Sequence, residues 1–358
     1  MIYRVIGTMS GSSMDGLDIA YCTLEETGGN WTYEITQADC IAFSKEWQEQ
    51  LKNITALSAR ELFRCHTAFG KWMGEQLNAF IEKNNLEHKV HFIASHGHTV
   101  FHEPQHGMTF QMGDGASIAA VTQLPVITDL RNMDVALGGQ GAPIVPIGEQ
   151  FLWKDYTHFL NLGGICNITF KQDGKHIAFD VCAANRILNV LAQEAGFDFD
   201  HEGKMAARGT INQDLLIALN DQEYFRKPFP KSLANEFGTE TIYSILKEYS
   251  CSIDDKLRTV TEHIVMQIDA ICTADGEQRM LVTGGGAHNT FLLARLRDTL
   301  TAKQMEVTVP DSELINYKEA LVMAFIGVLR WREEENVLAS VTGAQRNSIG
   351  GALWMGAQ

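Results

Sequence analysis

One pattern of strands and glycine turns occurs twice in this chain, and it restricts the fold more than any other feature. In each copy a hydrophobic strand enters a turn rich in glycine, and two further strands follow. The strands are predicted at 3–7, 17–24 and 31–40 in the first copy, and at 158–162, 165–170 and 176–180 in the second. Because Gly and small polar residues between strands are typical of hairpins, the repeat predicts two similar glycine hairpins, at 7–16 and 163–167.

The segments around these hairpins alternate between helix and strand patterns. Apolar residues at spacings of mostly three and four predict a long amphipathic helix over 58–84, a strand follows at 89–94, and 95–99 resembles a loop. Glycines and a proline at 138–143 interrupt regular structure and mark a boundary. We therefore expect an α/β protein with an N-terminal lobe over 1–135 and a C-terminal lobe over 136–344; whether about 345–358 returns to the first lobe is left open.

Composition narrows the class of protein. The chain has 358 residues, 45% hydrophobic and 20% charged, which is typical of globular proteins and long enough for about two domains. With 29 Lys and Arg against 44 Asp and Glu, the net charge of −15 disfavours nucleic acid and anionic membrane surfaces as partners. Seven cysteines without a CxxC pair, no readable signal peptide and no long apolar run predict a cytoplasmic protein with no membrane association.

The first hairpin carries residues suited to phosphate binding. Its glycines and hydroxyl residues offer exposed backbone N–H groups and side-chain donors, although an ordinary hairpin turn has the same composition. Asp15 and Asp18 would repel an anion directly but suit a magnesium ion that they hold through water. The GxxxxGK[ST] motif is absent, which excludes the P-loop class.

A second glycine-rich segment follows the predicted strand 280–282. Gly284, Gly285 and Gly286 precede a predicted helix over 289–300, so that a nucleotide can approach the backbone near the helix N-terminus. The alternative is a tight turn between strand and helix. The spacing GxGxxG is absent, which argues against a dinucleotide site.

Asp180 stands at the end of the predicted strand 176–180. A carboxylate at a strand end can face a cleft and deprotonate a water or hydroxyl, whereas the alternative interpretation is an N-cap of the helix that follows. Cys182, two residues later, is either a nucleophile or a small buried apolar residue.

Two further clusters are ambiguous. The histidines at 91, 96, 98, 102 and 106 are spaced either for a metal ion or for a polar wall of individually hydrogen-bonded rings. Asp129, Arg131 and Asp134 follow a strand, where they form either a functional loop or a surface ion pair.

Taken together, these segments resemble the anhydro-N-acetylmuramic acid kinase family, a branch of the sugar kinase, actin and heat-shock chaperone ATPase superfamily. The resemblance covers nearly the whole chain and rests on motifs in the family's order: GTMSGSSMDGLD from Gly7, SHGHT from Ser95, FQMGDGASIA from Phe110, TDLRNMD from Thr128, GGQGAPIVP from Gly138, NLGGICNIT from Asn161, VTGGGAHN from Val282 and VTGA from Val341.

The resemblance implies a two-lobed actin-like, ribonuclease H-like ATPase fold. Each lobe is expected to hold a mixed sheet with flanking helices, and ATP and sugar are expected in the cleft between the lobes. The two hairpins would hold the ATP phosphates and 284–286 the adenosine side, which gives as ATP-binding residues Gly11, Ser12, Ser13, Met14, Asp15, Gly16, Leu17, Asp18, Gly163, Gly164, Asn167, Gly284, Gly285 and Gly286.

In this family an anhydro sugar is hydrolysed and phosphorylated in one reaction. The resemblance implies that Asp180 removes a proton from the water that attacks C1, and that O6 leaves and takes the γ-phosphoryl group of Mg-ATP, giving N-acetylmuramic acid 6-phosphate in cell-wall recycling. It also implies a sugar site at His96, Arg131, Gln140, Asn185 and Glu319. The expected partners are this sugar and ATP, and a homodimer is among the expected assemblies.

The chain departs from the family pattern at two places. Where the family usually has GPGN after the catalytic aspartate, this sequence has Cys182, Ala183, Ala184 and Asn185, and Glu149 replaces a common histidine. Loss of Gly and Pro changes the backbone preferences of that turn, which leaves open a kinase of the same fold for another sugar. A non-catalytic nucleotide-binding regulator is the other alternative.

Overall fold

A computed structural model describes residues 1–11, 14–172, 174–229, 231–233, 237–273 and 276–356. Its strands are β1 (Ile2–Ser10), β2 (Gly16–Thr27), β3 (Asn30–Ala42), β4 (Phe92–Glu103), β5 (Met108–Met112), β6 (Val126–Thr128), β7 (His158–Leu162), β8 (Ile165–Gln172), β9 (Lys175–Ala183), β10 (Gln278–Thr283), β11 (Met305–Thr308) and β12 (Ala352–Trp354).

The helices are α1 (Lys45–Asn53), α2 (Ala59–Lys83), α3 (Gly115–Thr122), α4 (Asn132–Ala136), α5 (Pro146–Leu152), α6 (Asn185–Glu194), α7 (Lys204–Arg208), α8 (Gln213–Asn220), α9 (Glu223–Arg226), α10 (Tyr243–Glu248), α11 (Ile253–Asp269), α12 (Thr290–Thr301), α13 (Ser312–Trp331) and α14 (Ala339–Thr342). Short 3₁₀ turns lie at Ile54–Ala56, Pro104–His106, His201–Gly203 and Gly285–His288, and a π-helical turn lies at Phe237–Ile242.

The chain forms two compact units. The first contains Met1–Lys154 and Tyr317–Gln358, and the second contains Asp155–Asn316. These limits differ from the predicted lobes, because 136–154 and 317–344 belong to the first unit. The glycines and proline of 138–143 therefore interrupt secondary structure without separating the units, since the chain continues into α5, where Phe151 packs on Phe325 of α13 within the first unit.

The sheet of the first unit has the order β12-β6-β4-β1-β2-β3, with β5 paired to β4. β1 runs parallel to β4 and antiparallel to β2, and β4 is parallel to β6. Residues 95–99, which resemble a loop in the sequence, are part of β4. Their polar composition favours a loop, but backbone pairing with β1 and β5 holds them in a strand. Most of the first half of this strand is buried.

The sheet of the second unit repeats this arrangement. Its order is β11-β10-β7-β8-β9, with β7, β8 and β9 as an antiparallel meander and β10 parallel to β7. In each sheet the first strand of the meander is thus central and pairs in parallel with a later strand. The predicted repeat, and the prediction of an α/β protein with a mixed sheet in each part, are confirmed.

The core of the first unit depends on α2. Ser58 caps this helix by accepting a hydrogen bond from the Glu61 N–H, and the Glu61 side chain accepts one from Ser58. Phe69, Met73 and Leu77 are fully buried against the sheet and α3. The predicted apolar face is therefore the buried face of the helix, apart from Phe63, whose side chain is exposed.

The core of the second unit forms between its sheet and the helices α6, α11 and α12. The predicted helix 289–300 corresponds to α12, whose leucines are buried at 292, 293, 296 and 300. Leu257, Val260 and Ile264 of α11 contribute a second buried row. Within the described residues, no helix combines the length and the apolar character that crossing a membrane requires.

A glycine in β1 allows α13 to approach the first sheet closely. A Cβ at Gly7 would overlap the carbonyl oxygen of Ala320, so no other residue fits there without moving the helix. Glu319 precedes Ala320 on α13. The contact between Gly7 and Ala320 therefore sets how close the part of α13 that carries Glu319 lies to β1.

Candidate active site

The first glycine hairpin connects β1 to β2. The Met14 N–H donates to the Gly11 carbonyl oxygen at 3.3 Å, and Met14 adopts a φ of 56°. Gly16 opens β2, where a Cβ would come within 2.9 Å of the Cys40 sulfur, and Leu17 is buried in the core. Ser12 and Ser13, which complete the predicted phosphate loop, lie outside the described residues.

Two carboxylates follow this turn. Partial burial raises the pKa of Asp18, the Cys40 thiol lowers it by hydrogen bonding, and the negative charge of Asp15 raises it again. Asp15 itself is exposed, and its carbonyl oxygen accepts a hydrogen bond from the Phe43 N–H. A cation held through water by both carboxylates would relieve this repulsion, and hard oxygen donors suit magnesium.

The buried His96 and the partly buried Arg131 form a polar pair in the first unit. The Arg131 Nε donates to His96 Nε2 at 2.8 Å, and His96 Nδ1 lies 2.9 Å from the Gly97 carbonyl oxygen. Nδ1 must therefore carry the proton, because Nε2 accepts. Burial and the adjacent guanidinium lower the pKa of His96 to about 3, so the ring is neutral at physiological pH.

Arg131 is fixed by a second hydrogen bond, from Nη1 to the Gly141 carbonyl oxygen at 2.7 Å. Burial lowers its pKa to about 10, opposed by the charges of Glu319 and Asp134. Asp134 is fully buried and accepts hydrogen bonds from the Gly141 N–H and the Thr342 hydroxyl. The interpretation of Arg131 and Asp134 as a surface ion pair is therefore wrong.

Glu319 and Gln140 occupy accessible positions in the same unit. Desolvation by surrounding protein raises the pKa of Glu319, the cations Arg131 and Lys318 lower it, and Asp18 raises it. Gln140 has an exposed side chain, while its N–H donates to the Thr342 carbonyl oxygen at 2.8 Å. The structure thus places Arg131 and Asp18 each within electrostatic reach of Glu319.

The histidines of 91–106 have separate partners. His98 Nδ1 lies 2.9 Å from the Ser10 hydroxyl, His102 pairs with Thr109, and His106 pairs with Glu103. Among the residues that the structure describes, no group of three His, Cys, Asp or Glu side chains is arranged to hold a metal ion.

Asp180 lies in β9 of the second unit, and its carboxylate is held by hydrogen bonds. Oδ2 accepts from the Leu233 N–H at 2.8 Å and from the Ser232 hydroxyl at 3.2 Å, and no described residue donates to Oδ1. Burial raises the pKa of Asp180, while these two donors lower it. The N-cap of α6 is Ala184, so the interpretation of Asp180 as a helix cap is wrong.

The second glycine hairpin lies beside the start of α6. The Gly163 carbonyl oxygen accepts from the Asn185 N–H at 3.0 Å, and Gly164 accepts from the N–H groups of Ala184 and Arg186. The Asn185 side chain donates to the Leu162 carbonyl oxygen at 2.8 Å. Asn185 is therefore fixed against the hairpin by both its backbone and its side chain.

The glycine triplet lies next to this hairpin because β10 pairs in parallel with β7. Thr283 is opposite Asn161 in this pairing, and Gly284 turns the chain with a φ of 82°. A Cβ at Gly286 would lie 2.9 Å from the Asn185 side-chain oxygen, whereas one at Gly285 would meet nothing closer than 3.8 Å. The second unit thus brings its predicted nucleotide residues together at one end of its sheet.

Asn167 lies on β8, next to Asp180 on β9. It pairs with Asp180 across β8 and β9, immediately after an irregularity between Cys166 and Asn167. Cys166 and Cys182 are opposite one another and fully buried, as expected for small apolar side chains. Residues 182–185 use no positive φ, and the N–H groups of Ala184 and Asn185 donate to the glycine hairpin.

Sequence reasoning missed a segment that supports Asp180. Besides Ser232 and Leu233, the Lys231 carbonyl oxygen accepts from the Asp180 N–H at 3.1 Å, and the Tyr224 hydroxyl donates to the Asp180 carbonyl oxygen at 2.6 Å. Arg186 was also missed: a Cβ at Gly164 would lie 3.6 Å from its Nε, which places a guanidinium beside the hairpin. A cation in the first turn of α6 is the signal that could have identified it.

The chain matches the family model described as anhydro-N-acetylmuramic acid kinase over residues 3–356. It is 32% identical to the anhydro-N-acetylmuramic acid kinase of Photobacterium profundum, covering 99% of each chain. It is 30% identical to that of Sulfurimonas denitrificans, covering 98% of each. Among solved structures, component A of the Acidaminococcus fermentans (R)-2-hydroxyglutaryl-CoA dehydratase aligns with 15% identity and a TM-score of 0.45, over 90% of this chain and 96% of that one. The predicted resemblance is confirmed, and the chain belongs to the anhydro-N-acetylmuramic acid kinase family.

Proposed function

We propose that this chain is an ATP-dependent kinase that opens the 1,6-anhydro ring of 1,6-anhydro-N-acetylmuramic acid with water and phosphorylates O6. The products are N-acetylmuramic acid 6-phosphate and ADP. The observation that carries the proposal is Asp180, a carboxylate held on one oxygen by Leu233 and Ser232, in a chain that matches the kinase family from end to end.

Asp180 acts as the general base. Its Oδ1 accepts a proton from a water molecule, the water oxygen bonds to C1, and the C1–O6 bond breaks. O6 then attacks the γ-phosphorus, and ADP leaves with the electrons of the broken P–O bond. A positioned general base contributes about 100- to 10,000-fold to such a rate. Two donors on Oδ2 fix the direction of Oδ1, which limits the loss of rate through misorientation.

The first unit supplies sugar-binding groups. Arg131 presents a guanidinium that His96 and Gly141 hold in one orientation, and a guanidinium is well suited to the carboxylate of a muramic acid. Gln140 and Glu319 offer accessible polar side chains for hydroxyl and amide groups. In the second unit, Asn185 supports the glycine hairpin and takes part in sugar binding.

The glycine turns bind ATP. The two glycine hairpins offer backbone N–H groups to the phosphates, and the open space beside Gly285 leaves room for the nucleoside. Asp15 and Asp18 would hold Mg²⁺ through water, because the ion relieves the repulsion between their carboxylates. When bound, the ion neutralises negative charge on the phosphates.

One observation favours a second candidate, a kinase for another sugar. The resemblance implies Gly and Pro just before Asn185, where this chain has the buried Cys182, Ala183 and Ala184, and a different turn there would alter the surroundings of Asp180. The alternative of a non-catalytic regulator lacks such support, because the chain retains the candidate base, Asp180, with its carboxylate held in one orientation.

The test is turnover of the full chain with Mg-ATP and 1,6-anhydro-N-acetylmuramic acid in H₂¹⁸O, quenched early and analysed by mass spectrometry. We expect a product heavier by one water and one phosphoryl group, with the ¹⁸O at C1. Turnover of other anhydro sugars or hexosamines, but not of this substrate, would support the second candidate. ATP binding without turnover of any sugar in the panel would support a regulator.

A further inference from the structure

A cavity of about 600 Å³ lies in the second unit, away from the glycine turns. Thr157, His158 and Gln278 line it where β7 and β10 begin, whereas the glycine turns follow the ends of these strands. The volume is within the range of about 300–1,000 Å³ that small-molecule sites occupy. This cavity is therefore separate from the proposed nucleotide site.

The walls of the cavity are aromatic. Phe179 of β9 and Phe229 stack with ring centroids 5.0 Å apart and planes 5° from parallel. Phe170 of β8 meets Phe229 edge to face at 5.8 Å. Phe229 nevertheless leaves 43% of its surface exposed. A flat apolar molecule would cover that surface and extend the stack.

The charges that line the cavity oppose the charge of the chain. Among the described residues that line it, three are lysines, Lys171, Lys227 and Lys231, and one is acidic, Glu277, although the chain carries a net charge of −15. Burial lowers the pKa of Lys231, whose ammonium group donates to the Tyr224 carbonyl oxygen at 3.1 Å. An anion beside these ammonium groups would be attracted, and a cation would be repelled.

The wall of the cavity is also the segment that holds Asp180. Lys231 lines the cavity, and its carbonyl oxygen accepts a hydrogen bond from the Asp180 N–H. Ser232 and Leu233, the next residues, donate to the Asp180 carboxylate. A molecule bound in the cavity would therefore restrict the residues that orient Asp180.

We propose that this cavity is a binding site for a small aromatic anion, and that its occupant stabilises the hydrogen bonds between 231–233 and Asp180. The aromatic walls bind the flat body, and the lysines bind the acidic group. The site would recognise its ligand by ring stacking and negative charge. The sugar substrate has no aromatic ring and therefore lacks this combination.

Binding is tested on the full chain with two fluorescent probes of nearly the same aromatic body. The probe 8-anilinonaphthalene-1-sulfonate carries a negative charge, and N-phenyl-1-naphthylamine is neutral. We expect one saturable site per chain for the anion, with a Kd about ten-fold lower than for the neutral probe, since charge-assisted contacts contribute on this scale. Equal affinity for the two probes would overturn the role of the lysines.

Variants locate the site. Lys171→Glu should weaken binding of the anionic probe about ten-fold and leave the neutral probe unchanged, whereas Lys175→Glu, the same change on an exposed residue outside the cavity, should affect neither. Ala270→Trp, an exposed position at the cavity wall, should exclude both probes. If the two glutamate variants behave alike, the probes bind elsewhere and the proposal fails, whether or not the tryptophan variant folds.

Hydrogen exchange tests the connection to Asp180 without any turnover. With the anionic probe bound, the peptide that contains 231–233 should exchange several-fold more slowly, and a peptide from α12 should not change. Unchanged exchange in 231–233 at saturating probe would overturn the connection. Because neither measurement uses the sugar, this result is independent of whether the proposed reaction is correct.

Discussion

The backbone N–H of Leu233 donates a 2.8 Å hydrogen bond to Oδ2 of Asp180, across 53 residues of sequence. The bond fixes one oxygen of the carboxylate. Because the carboxylate is planar, the direction of the other oxygen is then fixed as well. If Asp180 is the base of the reaction, its orientation is thus set by a main-chain group that most substitutions in the segment would leave in place.

Asp180→Asn should lower kcat at least about 100-fold. The affinity for ATP should stay within about two-fold of the wild-type value, because the nucleotide site is unchanged. The amide keeps the shape of the side chain but cannot take the proton from water. Steady-state kinetics and nucleotide titration measure the two effects. Asp298→Asn, at an exposed ion pair on α12, serves as the control and should change neither. Turnover at the wild-type rate in the Asp180 variant would remove the base from the mechanism.

The pH profile of kcat/KM should show an acidic limb above the ordinary pKa of an aspartate. Burial raises the pKa of Asp180 from 3.8, and the reaction requires the ionised form, so activity falls as pH decreases through the raised value. Ser232→Ala removes a donor that lowers this pKa, and the limb should therefore move to higher pH. Ser232→Thr keeps the hydroxyl and should leave the limb in place. Identical limbs in all three proteins would assign it to another group.

Arg131→Lys should raise the KM for the sugar about ten-fold without changing the KM for ATP. Lysine retains the charge but cannot donate in the fixed fork that reaches both His96 and Gly141, and one lost charge-assisted hydrogen bond costs about 1.5 kcal/mol. Arg60→Lys, on the exposed start of α2, is the matched control. An increase in KM for ATP instead would place Arg131 with the nucleotide.

Local signals account for what could be predicted from the sequence. Glycine turns between short strands indicate the two hairpins, and a strand before Gly284 with leucines after it indicates the turn into α12. The segment 224–233 gives no such signal. Leu233 contributes through its N–H, which nearly every residue possesses, and Tyr224 is brought to Asp180 only by tertiary folding. The predicted lobe limits differ from the observed units for the same reason: α5 and most of α13 belong to the first unit through tertiary packing, which leaves no local signal in the sequence.

Two alanine substitutions in the glycine triplet should separate nucleotide binding from stability. At Gly285 a Cβ has space in the free protein, so Gly285→Ala should leave Tm unchanged and weaken ATP binding if the nucleoside approaches there. At Gly286 the Cβ would press on Asn185 and Leu162, which should cost about 1–3 kcal/mol of unfolding free energy. Thermal unfolding and ATP titration of both variants provide the comparison. Unchanged ATP affinity in Gly285→Ala would place the nucleoside elsewhere.

Glu149 and Lys318 form a buried ion pair in the first unit. Lys318 Nζ lies 2.7 Å from Glu149 Oε1, both side chains are more than 90% buried, and Oε2 of Glu149 has no hydrogen-bond partner among the described residues. Lys318→Met should therefore lower the unfolding free energy by about 3–5 kcal/mol, because it leaves a buried carboxylate without its cation. The double variant Glu149→Leu/Lys318→Met removes both charges and should recover most of that loss. Denaturant unfolding of the two single variants and the double variant measures the coupling. Additive losses would mean that the two side chains contribute independently, and the close pair would then carry little of the stability of the first unit.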